Sequence, residues 1–173
     1  MFKGTYRHRI DPKGRLPVPA AFRRQLLAQG ASALVATPLD QCVAVYPPSE
    51  WERLENQLRA MPAFSKPVKA LSRLLASRAQ DLELDVQGRI LLPPALRQAA
   101  SLAADVVIIG VLDRFEIWSP AVWDSFLRES EGLLDDVASD LQWPLPTPGP
   151  APSLVLPPAA PSADGNPQAN SKR

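Results

Sequence analysis

The chain of 173 residues contains a single cysteine and a single histidine. One thiol, Cys42, cannot form an internal disulfide, and we interpret it as a small buried residue in a strand-like apolar run. The lone imidazole, His8, has no cysteine or histidine beside it at the spacing of metal ligands. The sequence therefore predicts no disulfide framework, no metal site, no cofactor and no histidine-based catalysis.

Long apolar runs are also missing. No stretch approaches the roughly 18 residues that a membrane span needs, and the segment Met1-Phe-Lys-Gly4 lacks the apolar centre of a signal peptide. We therefore expect a cytoplasmic protein without a membrane partner. The chain also lacks a glycine-rich phosphate loop, a nucleophile elbow and a His-Glu-x-x-His pair. We expect neither an enzyme nor a small-molecule substrate.

The sequence does contain an internal repeat. The segment Asp11-Pro-Lys-Gly-Arg15-Leu-Pro-Val-Pro19-Ala-Ala-Phe-Arg23 returns 74 positions later as Asp85-Val-Gln-Gly-Arg89-Ile-Leu-Leu-Pro93-Pro-Ala-Leu-Arg97. Further along, Leu39-Asp40 aligns with Leu112-Asp113 at a shift of 73. A repeat of this kind is one supersecondary unit used twice. It predicts a pseudo-symmetric body within a single chain.

Each copy is predicted to place short strands around a tight turn and a short helix. In both turns a glycine permits positive φ, and in the first a proline presets the backbone. The period-two alternation and apolar runs predict strands around 6–10, Leu16–Val18, Ala33–Ala36 and Cys42–Tyr46, then around 82–84, Ile90–Leu92, Val106–Ile109 and Phe115–Trp118. Short helices are expected over Ala20–Gln29 and Pro93–Ala100.

Helices are expected to connect the two units. Ser49 and Glu52 form the pattern of a capping box, and Ser65–Ala79 aligns Val68, Leu71 and Leu75 on one helical face. Trp51 on the linking helices, and Trp123 and Phe126 on the C-terminal helix, could pack on their own unit or form an association surface, and the sequence leaves both open. The expected division of the chain is 2–48 (first unit), 49–76 (linking helices), 77–120 (second unit) and 121–141 (C-terminal helix).

The remaining residues, 142–173, have a different composition. They contain nine prolines among 32 residues, with alanine, serine and glycine between them. Such a segment cannot bury enough apolar surface to offset the entropy lost on ordering. We predict a disordered tail.

Positive charge is concentrated near the N-terminus. Residues 1–26 contain one acid and seven basic residues, namely Lys3, Arg7, Arg9, Lys13, Arg15, Arg23 and Arg24. A clustered basic face on a nearly neutral protein is typical of a surface that binds a polyanion. The alternative is a solvated surface with uneven charge.

Arg15 and Arg89 each follow a glycine turn, where a guanidinium projects from a rigid base. Its fixed fork of donors suits phosphate, or the O6 and N7 atoms of guanine. Each arginine could instead pair with the aspartate four residues earlier, and the two roles are compatible. For Arg15, nucleic-acid contact is favoured by the basic residues around it; for Arg89 the question stays open. An aspartate dyad formed by Asp11 and Asp85 for acid–base catalysis is less simple than these ion pairs.

Several segments together resemble the MraZ family of bacterial transcriptional regulators. They are Met1-Phe-Lys-Gly-Thr-Tyr6, Asp11–Pro19, Tyr46–Glu52, Asp85–Arg97 and Phe115–Trp118, in order and at the family's spacing over about residues 1–141. The resemblance implies a mainly β fold with helices, built from two tandem SpoVT/AbrB-type domains. These AbrB-like units form swapped-hairpin β-barrels, paired here within one chain, with peripheral helices.

The resemblance also implies a function. Members assemble into ring-like homo-oligomers and bind short G-rich direct repeats of double-stranded DNA in the promoter of the division and cell-wall gene cluster, their own promoter included, usually as repressors. We therefore expect a nucleoid-associated regulator. The predicted DNA-binding residues are Arg15, Arg89, Lys13, Arg7, Lys3 and Arg9, and the predicted turn-orienting residues are Asp11, Gly14, Asp85 and Gly88.

Two features depart from the pattern of an evenly repeated DNA-binding protein. Gln87 stands in the second turn where Lys13 stands in the first, so the two turns need not contact DNA equally. The proline-rich tail lies outside the family pattern. It supports an alternative function, an antitoxin-like interaction module of the same swapped-hairpin type whose tail binds a partner protein.

Overall fold

The computed structural model describes residues 1–62 and 64–130. The predicted tail and the last part of the predicted C-terminal helix lie outside these residues. The described residues form the strands β1 (Thr5–Arg9), β2 (Arg15–Pro17), β3 (Ala33–Leu39), β4 (Cys42–Tyr46), β5 (Gln80–Glu83), β6 (Arg89–Leu91), β7 (Asp105–Val111) and β8 (Arg114–Trp118), and the helices α1 (Ala20–Ala28), α2 (Pro48–Ala60), α3 (Lys66–Arg78), α4 (Pro94–Ala99) and α5 (Pro120–Ser130).

The two repeats exchange their first strands. In the six-stranded antiparallel sheet, whose order is β1-β7-β8-β4-β3-β5, strand β1 of the first repeat pairs with β7 of the second. Reciprocally, β5 of the second repeat pairs with β3 of the first. The short strands β2 and β6 pair with each other as a separate antiparallel ribbon. The predicted pseudo-symmetric, mainly β fold with swapped hairpins is confirmed.

Strand pairing among the described residues leaves the sheet open. Strands β1 and β5 are its two edges, each with a single partner. The predicted barrel therefore takes the form of a six-stranded sheet with the ribbon of β2 and β6 packed across one face. This arrangement still encloses a core, because the inward residues of the ribbon, Leu16 and Ile90, are fully buried against the sheet.

The structure corrects the alignment of the second half of the repeat. The shift of 73 between Leu39-Asp40 and Leu112-Asp113 is wrong, because the residues with matching backbones are Asp40 (φ 51°) and Leu112 (φ 59°), which are 72 positions apart. The first strands of the two hairpins give the same shift of 72, since β3 begins at Ala33 and β7 begins at Asp105. The shared Leu-Asp pair misled the alignment, because the second copy is two residues shorter around its helix.

Two local predictions also need correction. Strand β3 runs three residues beyond the predicted end and includes Pro38, which is tolerated because β3 there pairs only with β4 and has a free edge. Helix α2 begins at Pro48, with Pro47 as its N-cap and no side-chain capping bond. The Ser49–Glu52 capping box is therefore wrong: the Pro-Pro step starts the helix before Ser49 can cap it.

One hydrophobic core joins both repeats. Phe22 of α1 lies edge-on to Phe2 at 5.2 Å and to Tyr6 at 5.1 Å between ring centroids, and it packs against Phe115 of β8. Phe2, Phe22 and Phe115 are each at most 1% exposed. Aromatic contacts of this kind add to the stabilisation from burial, so Phe22 fixes helix α1 against the core.

The helices α2 and α5 occupy equivalent positions. Trp51 of α2 lies 5.7 Å from Tyr46, and Trp123 of α5 lies 5.5 Å from Trp118, again at a shift of 72. Both tryptophans therefore pack on their own strands. Phe126 approaches Trp118 as well but stays 45% exposed.

On α3 the predicted apolar face of Val68, Leu71 and Leu75 is only partly buried. Leu75 is buried and Val68 is half-buried, while Leu71 is 43% exposed. Together α2 and α3 flank a groove of about 580 Å³ whose walls include Trp51, Leu58 and Val68.

Candidate nucleic-acid interface

The first turn, residues 11–14, is closed by the side chain of Asp11. Its Oδ1 accepts hydrogen bonds from the backbone amides of Lys13 and Arg15, each at 2.9 Å. The backbone closes as well, since the Gly14 amide donates to the Asp11 carbonyl at 2.9 Å. Gly14 has φ 85°, a conformation that residues with a Cβ avoid. The aspartate and the glycine thus determine the shape of this turn.

The second turn, residues 85–88, repeats this geometry. Asp85 Oδ1 accepts from the amides of Gln87 and Arg89, each at 2.9 Å, and the Gly88 amide donates to the Asp85 carbonyl at 2.8 Å. Gly88 has φ 73°. The two turns therefore share one backbone device, although only three of their five residues from aspartate to arginine are identical.

Both aspartates are held as carboxylates. The pKa of Asp11 is lowered chiefly by the hydrogen bond from the Arg15 amide, and that of Asp85 by the Arg89 amide and then by the Arg89 side chain. Hydrogen bonds to the charged form favour that form. Each turn thus keeps an anionic acceptor at neutral pH.

The arginines that follow the two turns are bonded differently. Arg89 donates from Nε to Asp85 Oδ2 at 2.8 Å, and its Nη2 lies 2.8 Å from the same oxygen. Arg15 has no side-chain hydrogen bond or ion pair to any residue that the structure describes. Arg89 is therefore oriented by its own turn, and Arg15 keeps all its side-chain donors available.

The ribbon brings these two arginines onto one surface. Its register pairs Arg15 with Leu91 and Pro17 with Arg89. Because side chains alternate along a strand, these four residues face away from the core. Arg15 and Arg89 are then diagonal neighbours on this outer face, which places their Cα atoms about 7–8 Å apart.

Two arginines outside the predicted site also lie at the turns. Arg23 of α1 donates from Nη1 to the Gln87 carbonyl at 3.2 Å, and Arg97 of α4 packs beside Gly14. Arg23 and Arg97 occupy equivalent positions in the two copies of the repeat, and this was the signal in the sequence that could have identified them as site residues. Their position at the opposite repeat's turn follows from the antiparallel pairing of β2 with β6, because the chain leaving β2 runs beside the second turn, where the Val18 amide donates to the Gly88 carbonyl at 3.0 Å. The repeat alone does not show this pairing.

The other predicted basic residues lie elsewhere, except Lys13, which is exposed on the first turn. Arg7 pairs with Asp124 of α5 at 3.7 Å, and Arg9 pairs with Asp105 at 3.8 Å. Arg7 lies opposite Val107, on the sheet face away from the ribbon. Lys3 precedes β1, whereas the first turn follows the other end of that strand.

The structure shows no other constellation with evident chemistry in the part of the chain that it describes. No group of three His, Cys, Asp or Glu side chains there could hold a metal ion. The Cys42 thiol donates to the Leu39 carbonyl at 3.2 Å, and burial raises its pKa well above the ordinary value, which makes it a poor nucleophile. Among the described helices, none has the length and apolar character of a membrane span.

Comparison with known proteins places these features in a family. The family model described as "MraZ protein, putative antitoxin-like" matches residues 1–74 and again residues 75–142. Proteins named Transcriptional regulator MraZ match over 141 residues, which is 82% of this chain and 96% of each relative. They are 44% identical in Natranaerobius thermophilus, 45% in Ligilactobacillus salivarius and 46% in Desulfitobacterium hafniense.

Proposed function

Because the chain belongs to the MraZ family, we propose that it is a sequence-specific, DNA-binding transcriptional regulator, and that the outer face of the ribbon contacts the DNA. The observation that supports this most strongly is the placement of the two motif arginines. Arg15 and Arg89 come from different repeats and lie on one face. They flank the centre of a two-stranded ribbon, an element that the major groove of B-DNA admits.

The two arginines suit complementary roles on DNA. Arg15 has no internal partner among the described residues, so its fork can adapt to a phosphate or to a guanine edge. Arg89 uses two of its donors on Asp85 and has others left for a base edge, already oriented. Lys13 adds a further cation at the first turn. Guanine is the base that bidentate arginine prefers, which agrees with a G-rich operator.

The proposal extends to the operator and the assembly. We propose that the protein represses transcription of the division and cell-wall gene cluster, its own promoter included. It would do so by binding short G-rich direct repeats as a ring-like homo-oligomer. We also propose that it is cytoplasmic and associated with the nucleoid. A single ribbon makes few contacts, and several copies on repeated sites raise avidity by orders of magnitude. The half-exposed Phe126 face of α5 offers surface for association. No cofactor or small-molecule substrate is needed.

We propose the same division of the chain: two SpoVT/AbrB-type repeats over 2–48 and 77–120, a linking segment over 49–76 between them, and the segments 121–141 and 142–173 after the second repeat.

The test measures binding of the full chain to a fluorescent fragment of its own upstream region and to a scrambled fragment of equal length. We expect tighter binding to the upstream fragment, and affinity that falls steeply between about 50 and 200 mM salt. Native mass measurement, with and without DNA, gives the number of subunits. Equal binding to both fragments, or affinity independent of salt, would overturn the proposal, and a monomer would overturn the ring.

A further inference from the structure

The second arginine of each repeat crosses to the turn of the other repeat. Arg23 belongs to the first repeat but donates from Nη1 to the carbonyl of Gln87 in the second turn, at 3.2 Å. Its side chain also occupies the space that a Cβ on Gly88 would need. Its counterpart Arg97 approaches the first turn, with Cζ 3.7 Å from where a Cβ on Gly14 would lie. Each turn therefore carries an arginine from each repeat.

Arg23 projects from a rigid base. The preceding residue, Phe22, is 1% exposed and packs edge-on against Phe2 and Tyr6, and Leu26 one turn later is fully buried. Helix α1 is thus fixed by the core on both sides of Arg23. A hydrogen bond from this position can therefore restrain the second turn, in which Val86 and Gln87 are exposed.

The charge of Arg23 is not neutralised within the described part of the chain. No carboxylate among the described residues forms an ion pair with it, and Asp85 of the same turn is bonded to Arg89 and to two backbone amides. The pKa of His8 is lowered, first by burial and then by the positive charge of Arg23. The second turn thus gains a hydrogen bond and an uncompensated positive charge from the first repeat.

We propose that Arg23 is a positioning residue for the second turn, so that each DNA-contacting turn is a composite of both repeats. The inference rests on the proposed DNA-binding function for its consequence, but its geometry holds without DNA. The two crossings are unequal, since Arg23 hydrogen-bonds to its turn whereas the Nε of Arg97 is buried without a partner in the described residues. Loss of Arg23 should therefore loosen the second turn and leave the first unchanged.

The direct test is amide hydrogen exchange of the full chain without DNA, comparing Arg23→Ala with Arg24→Ala. Arg24 is the adjacent, exposed arginine of the same helix, so Arg24→Ala removes the same charge as Arg23→Ala. In Arg23→Ala we expect the amides of Gln87, Gly88 and Arg89 to exchange about tenfold faster. The amides of Gly14 and Arg15 should keep their rates, and neither turn should change in Arg24→Ala. Equal rates in the two variants at the second turn would overturn the proposal.

A second measurement connects this position to DNA. Arg23→Ala should weaken binding to the upstream fragment about tenfold and lower the ratio of specific to non-specific affinity, whereas Arg24→Ala should lower both affinities alike and keep the ratio. Arg23→Met retains the aliphatic stem over Gly88 and serves where Arg23→Ala folds poorly; it should match Arg23→Ala. An unchanged ratio contradicts the role of Arg23. Failure of the wild-type chain to bind DNA would refute the proposed function alone, because the exchange measurement still decides the positioning role.

Discussion

The first and second turns have the same backbone and differently bonded side chains. In each turn, an aspartate side chain accepts hydrogen bonds from the backbone amides two and four residues later, and a glycine adopts positive φ. At the second turn the following arginine is held by the aspartate, whereas at the first it has no partner among the described residues. The two repeats therefore share the backbone structure of the turn and differ in how the arginine that follows it is bonded.

This difference matters for binding because Arg89, which Asp85 orients, and Arg15, which has no partner among the described residues, are suited to different contacts with DNA. The Arg89–Asp85 pair is partly exposed, with 25% and 36% of the side chains accessible, and such pairs contribute little net stability. Its main effect is therefore to fix the direction of the guanidinium. Arg15, beside the exposed Lys13, keeps its full positive charge for the ligand. We expect affinity to depend more on the first turn and discrimination more on the second.

The largest expected effect comes from removing the two arginines separately. Arg15→Ala should weaken binding to the upstream fragment about a hundredfold, and Arg89→Ala about tenfold, because Arg89 shares its donors with Asp85. Anisotropy titration measures both, and native mass should show an unchanged assembly. The double variant Asp85→Asn/Arg89→Ala removes the carboxylate that Arg89→Ala leaves unpaired. A larger loss for Arg89→Ala than for Arg15→Ala, persisting in that background, would reverse the comparison.

A smaller effect should follow from exchanging the residue at the tip of each turn. Lys13→Gln makes the first turn resemble the second, and Gln87→Lys does the opposite. Each added or lost phosphate contact changes the slope of log affinity against log salt by about one. The slope should therefore become shallower for Lys13→Gln and steeper for Gln87→Lys. Identical slopes in both variants and the wild type would mean that neither tip lies against the DNA backbone.

The aspartates should have a modest effect on stability, with a defined pH dependence. Their folded-state pKa values are lowered, so their contribution is present above the unfolded pKa of about 3.9 and is lost as pH falls through the folded pKa. Asp85→Asn should lower the urea midpoint more than Asp11→Asn at neutral pH, since it also loses the Arg89 side chain. Both differences should shrink below about pH 4. Differences that grow on acidification would have the wrong sign.

The smallest expected effect is that of deleting residues 142–173. DNA affinity should be unchanged if the ribbon binds DNA, because the ribbon and its turns lie entirely within the described residues. Anisotropy titration of the truncated chain provides the measurement. Loss of DNA binding on truncation would favour the alternative in which the tail mediates the function, as in an antitoxin-like interaction module.

The sequence predicted the parts of this site that depend on neighbouring residues. The Asp-x-x-Gly-Arg pattern defines each turn locally, so both turns and the two motif arginines were identifiable. The exchange of β1 and β5 was implied only by resemblance, because pairing between Thr5 and Ile109 depends on contacts far apart in sequence. The positions of Arg7 and Arg23 were unpredictable for the same reason: proximity in sequence suggested one basic surface, and the sheet separates them.

The side-chain difference between the turns was open at the level of sequence. Both arginines follow an aspartate at the same distance, and nothing in the repeat shows which of them pairs. The alignment of the hairpins failed by one residue because Leu112-Asp113 resembles Leu39-Asp40, although the backbone places Leu112 where Asp40 lies. The backbone conformation, and not the identity of the side chains, therefore determines how the two hairpins align.

The most direct test of the central claim is photo-cross-linking from a defined position to the upstream fragment. A photoreactive side chain at position 13 lies on the first turn, and one at position 7 lies on the opposite face of the sheet; both replace exposed basic residues. The ribbon interface predicts strong cross-linking from position 13 and little from position 7. Cross-linking mainly from position 7 would contradict it.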